Sequence, residues 1–94
     1  MTHLQIEQTL VNILKKHEAN RIGIFGSRAR GDANTDSDLD VLVDFSTSKS
    51  LLNLVRIEQE LTAAIGIKVD LLTEGAISPH LVDRIKEDLK VIYQ

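Results

Sequence analysis

Residues 26–45 read GSRARGDANTDSDLDVLVDF, and the last eight of them decide the fold. Written as an extended chain, residues 38–45 put Leu39, Val41, Val43 and Phe45 on one face and Asp38, Asp40, Leu42 and Asp44 on the other. Successive side chains of a strand point to opposite faces, so this alternation predicts a strand with one face buried. Upstream, residues 21–25 form a short apolar strand that stops at Gly26, and residues 27–30 form a helical turn. Residues 31–37 read as a loop by composition. Before them, Ile6, Leu10, Ile13 and Leu14 recur at helical spacing in residues 4–17, with Thr2 as cap and Lys15 and Lys16 in the last turn.

Downstream, residues 46–50 are a polar loop. A second long helix is predicted over residues 51–65, with Leu54, Ile57, Leu61 and Ala64 on one stripe and Gly66 at its C-terminal end. Residues 67–72 alternate as a third strand, with Ile67, Val69 and Leu71 against Lys68, Asp70 and Leu72. Ser78 and Pro79 then read as the cap and first residue of a last helix, its stripe running from Leu81 or Val82 through Ile85 and Leu89 to Ile92. The expected architecture is therefore α/β of mixed α+β character. It is a single domain over residues 1–94, with a small mixed sheet of about three strands and helices packed on one face.

Composition narrows the function. Apolar residues make up 43% and charged residues 27% of the 94, as in an ordinary globular domain. Cysteine is absent, which removes disulfides and thiolate metal sites. A net charge of −3, with two Phe and one Tyr as the only aromatics, argues against bulk nucleic-acid binding. Gln5, Glu7, Gln8 and Asn12 interrupt the first helix, so it is neither a signal peptide nor a membrane span. These features point to a cytoplasmic protein without a membrane partner.

The chemistry lies in the carboxylates and the glycine turn. Residues i and i+2 of a strand point the same way, roughly 6.5–7 Å apart at Cα. Asp38 and Asp40 can thus converge on one cation, or on two about 3.5–4 Å apart. If the third strand pairs beside the second, Asp70 joins them. Oxygen ligands favour Mg2+ or Mn2+. Gly26 lets backbone approach an anion, Ser27 opens a helical turn with a hydroxyl, and Arg28 or Arg30 can add charged donors to phosphate. A calcium loop starting at Asp36 fails, because Val41 stands where glycine is needed and Thr47 where glutamate is needed. No Gly-Lys-Ser/Thr follows the turn, and Gly23, Gly26 and Gly31 have the wrong spacing for a dinucleotide fingerprint. Phosphate cradle and metal site together suggest phosphoryl or nucleotidyl transfer from a nucleoside triphosphate.

Gly26-Ser27, ten residues, then Asp38-Leu39-Asp40, with Asp70 in a later strand, resembles the signature of the polymerase-beta-type nucleotidyltransferase superfamily. The string GSRARGDANTDSDLDVLV is most similar to its minimal nucleotidyltransferases (MNT), and the likeness covers nearly the whole chain. The resemblance implies that Ser27 holds the triphosphate of ATP, that Asp38 and Asp40 ligate two Mg2+ ions, and that Asp70 holds the catalytic ion and favours deprotonation of an acceptor hydroxyl. It implies AMP transfer with release of pyrophosphate. It also implies a partner, a HEPN-domain ribonuclease toxin to which the chain acts as antitoxin. Two alternatives stand beside this: a non-catalytic antitoxin that neutralises its partner sterically, and a small-molecule nucleotidyltransferase active as a dimer. His3, His17 and His80 are too scattered for a ligand set, Arg56 is expected to pair with Glu60, and Lys68 shares a face with Asp70.

Overall fold

The computed structural model describes residues 1–34 and 36–94; Thr35, inside the expected loop, lies outside them. Helix α1 (His3–Lys16) starts at a capping box: the Gln5 N–H donates to Thr2 Oγ1 at 3.1 Å and the Thr2 N–H to Gln5 Oε1 at 2.8 Å. Strand β1 (Ala19–Phe25) leads into the short helix α2 (Ser27–Arg30), which sits between Gly26 and Gly31, both at positive φ. Strand β2 (Leu39–Phe45) follows, then α3 (Leu51–Ile65), capped by the Ser50 hydroxyl and ended by Gly66 in the left-handed region. Strand β3 (Val69–Thr73), a 3-10 turn (Glu74–Ala76), α4 (Pro79–Asp88) and β4 (Lys90–Tyr93) complete the order.

The sheet order is β3-β2-β1-β4. β2 pairs antiparallel with β1 and parallel with β3, and β4 pairs antiparallel with β1. A parallel neighbour requires a crossover connection, and α3 supplies it. One face of the sheet carries Ile22, Ile24, Leu39, Val41, Val43 and Val69 into a core closed by Leu10 and Leu14 of α1 and Ile57, Leu61 and Ile65 of α3. The alternation read from residues 38–45 is therefore the alternation between core and site.

The sheet has four strands rather than about three. The chain leaves α4 at Leu89, whose φ of −64° and ψ of 123° are extended, instead of continuing as helix through Ile92. Val91, Ile92 and Tyr93 are β-branched or aromatic, and β1 would otherwise present an unpaired edge. The expected stripe is thus broken, with Leu89 between α4 and β4 and Ile92 in β4. Leu89 lies over Gly23 on the second sheet face, where any Cβ at residue 23 would meet its side chain. Ile92 and Tyr93 pack against the main core.

Candidate active site

Register brings the acidic residues together. Asp40 of β2 stands opposite Phe25 of β1 on one side and Asp70 of β3 on the other. Directly paired residues share a face, so Asp40 and Asp70 project side by side from the face away from the main core. Asp38 precedes β2 by one residue. The Leu39 N–H donates to the Lys68 carbonyl at 2.8 Å, which extends the β2–β3 ladder back to this point. The Asp38 charge bears on Asp70. Lys68 Nζ lies 3.8 Å from Asp38 Oδ2.

The charges act on one another. Burial pushes the Asp40 carboxyl above its ordinary range, and the neighbouring Asp70 and Asp38 charges push the same way, against Arg30. Asp70 is also raised, first by burial; Lys68 opposes this, while Asp38 and Glu58 reinforce it. Carboxylates crowded in this way are stabilised by a cation.

Gly26 follows Phe25 and therefore lies beside Asp40. Its φ of 76° and ψ of −158° suit glycine alone, and a Cβ built there would collide with the Asp40 carboxylate. Ser27 begins α2 directly after it. The two arginines expected at phosphate are engaged elsewhere in this structure. Arg28 donates to the Ser37 carbonyl at 2.9 and 3.2 Å, and to the Asn34 carbonyl at 3.5 Å. It thereby ties down the stretch that leads into Asp38. Arg30 pairs with Asp32 at 3.1 Å and with Asp88 of α4 at 2.8 Å, and its charge still reaches Asp40.

Among the described residues no three His, Cys, Asp or Glu side chains are pre-set at cation-ligating distances. The donor set nevertheless fits a hard divalent ion: three carboxylates, no soft ligand, and a glycine that leaves the Asp40 oxygens free of a neighbouring Cβ. Further along α3, Glu60 bonds His17 at 3.0 Å instead of pairing with Arg56.

The nucleotidyltransferase domain family matches residues 7–92. The chain belongs to the nucleotidyltransferase family. This nucleotidyltransferase is 47% identical over 81 residues to a Methanocaldococcus jannaschii protein named as a protein adenylyltransferase, covering 86% of this chain and 87% of that one. Among solved structures it resembles one named as a minimal nucleotidyltransferase, with a TM-score of 0.78 and 34% identity over 93% of this chain and 88% of that one. A chain of the complex between tri-AMPylated Shewanella oneidensis HEPN toxin and MNT antitoxin shares the fold, with a TM-score of 0.82 at 19% identity, covering 98% of this nucleotidyltransferase and 72% of that chain. The expected enzyme class is thus the one found.

Proposed function

We propose that this nucleotidyltransferase transfers AMP from ATP to a hydroxyl on a protein partner, with Mg2+, and that the partner is a HEPN-domain toxin to which it is the antitoxin. The observation that carries the reading is the shared rung of Asp40 and Asp70 beside Gly26, at the end of β1. The protein acceptor is supported by the adenylyltransferase name of a relative and by the AMPylated toxin in the complex that shares the fold.

Asp38, Asp40 and Asp70 would hold the metal. Bound there, Mg2+ neutralises phosphate charge and lowers the pKa of a nearby hydroxyl. The Ser27 hydroxyl donates to the triphosphate, with the glycine turn giving it close approach. Arg30 lies near enough to Asp40 to add positive charge on the same side, while Arg28 acts through the loop it holds. Asp70 orients the acceptor hydroxyl and draws off its proton. The acceptor oxygen then bonds the α-phosphorus as the bond to the pyrophosphate oxygen breaks, and pyrophosphate leaves. Most of the rate enhancement comes from alignment and charge placement.

Incubation with α-labelled ATP, Mg2+ and the partner is expected to label the partner, and Asp38→Asn or Asp40→Asn to abolish labelling. Equal labelling by those variants would remove the basis of the reading. The steric alternative draws on Leu51 and Leu52, which are 78% and 62% exposed at the start of α3. It gains if Asp38→Asn still neutralises the toxin in cells.

A further inference from the structure

β3 is an edge strand, yet the outward N–H groups on either side of Asp70 are not left to water or to a partner strand. The Val69 N–H donates to Thr62 Oγ1 at 3.0 Å, and the Leu71 N–H to Glu58 Oε2 at 2.8 Å. Both acceptors are side chains of α3, and both donors flank Asp70. The spacing explains the fit. Residues i and i+4 of a helix are about 6 Å apart along its axis. Residues i and i+2 of a strand are about 6.6 Å apart. Glu58 pairs with the later strand residue and Thr62 with the earlier one, so α3 runs against β3 and two helix rungs meet two strand rungs.

We infer that Glu58 and Thr62 are positioning residues for Asp70: by clamping the backbone on both sides of it from α3, they hold the free edge of the sheet in the register that sets Asp70 beside Asp40. The inference rests on the nucleotidyltransferase reading of Asp70. Without the clamp, β3 is held in register from one side alone, by the β2 ladder. An edge strand held on one side frays readily. Fraying would move Asp70 while leaving Asp38 and Asp40 in place. The same two bonds occupy two of the donors that another chain's strand would use, which blunts this edge against β-pairing.

The test uses paired substitutions of similar shape. Glu58→Met and Thr62→Val remove the acceptors; Glu58→Gln and Thr62→Ser keep an oxygen at each position. Two quantities are measured on the full chain: hydrogen exchange at the Val69 and Leu71 amides, and Mn2+ affinity in the presence of a non-hydrolysable ATP analogue. Glu58→Met is expected to lose Leu71 protection and Thr62→Val to lose Val69 protection. The double variant should bind Mn2+ at least about 10-fold more weakly, as displacement of a fixed group by an ångström does to a site. The Gln and Ser variants should stay near wild type in amide protection, and Glu58→Gln gives the share of Mn2+ affinity that the Glu58 charge alone supplies, against which the Met variant is compared. KM for the nucleotide should move less than kcat, because the phosphate turn is untouched. Protection that survives in the Met and Val variants overturns the inference. So does wild-type Mn2+ affinity once protection is lost, and in that case the functional reading still stands. If the wild-type chain binds no Mn2+–nucleotide while its two amides are protected, the functional reading falls and the positioning role falls with it.

Discussion

Asp40 is placed for chemistry at a cost to the folded chain. Its carboxyl is raised by burial and by Asp70 and Asp38. A group whose pKa is raised by folding binds its proton more tightly in the folded state. Its contribution is therefore favourable below the ordinary aspartate value of 3.8 and is lost as pH rises through the raised folded value. Asp40→Asn removes the charge that causes this loss. The variant should melt higher than wild type at pH 7 without metal, by roughly 1–5 °C if like-charge relief is worth what facing strand pairs usually show. The gain should vanish below about pH 4, where the wild-type carboxyl is itself protonated. Thermal melts at the two pH values check this, and the same variant should be inactive. Gly26 differs from Asp40 in that substitution there costs stability as well as function. Gly26→Ala places a Cβ at a φ of 76° and against Asp40. It should cost about 1–3 kcal/mol of stability, read as a urea midpoint shift, together with nucleotide binding.

At the scale of elements, the residue that leads into Asp38 is held by a side chain from α2. Arg28 holds the Ser37 carbonyl, one residue before Asp38. A phosphate-binding arginine and a loop-holding one give different kinetics when removed. Arg28→Ala is expected to raise the Mg2+ concentration needed for half-maximal rate by about 10-fold, the size of one charged hydrogen bond, while KM for ATP changes little. A larger effect on KM would restore the phosphate role expected from its position after Ser27. The β4 edge depends on a different contact, that of Leu89 with Gly23. Gly23→Val should overpack this contact and cost about 1–3 kcal/mol in chemical denaturation. The amphipathic helices and the caps at Thr2 and Ser78 were legible because they depend on residues within four positions of one another. The end of α4 was not. Leu89 and Ile92 continue the helical period, and only the open edge of β1 makes strand the better state for Val91 to Tyr93.

For the molecule as a whole, the two α3 hydrogen bonds, the β2–β3 ladder and the glycine turn end at one place, while the main core lies across the sheet from it. No helix among the described residues is long and apolar enough to cross a membrane. Ligand binding should feed back on the entire fold. Mg2+ with a non-hydrolysable ATP analogue at about 100 times Kd should stabilise the chain by about 2.7 kcal/mol. In a thermal melt that is a rise of roughly 10 °C or more for a domain of this size. Asp38→Asn and Asp70→Asn should lose most of that rise without losing the fold. The amino-acid order by itself determined which face of β2 would be core and which would carry Asp38 and Asp40, that a glycine turn would end β1, and that Asp70 would sit in a third strand. Each is a matter of local period or of what a backbone without Cβ can do. Tertiary structure alone decided that Asp70 shares a rung with Asp40, that Arg28 faces Ser37, and that Glu58 and Thr62 flank Asp70 from a helix. Register between strands, and contact between a helix and a strand edge, are set by hydrogen bonds among residues far apart in the chain, and no local period records them.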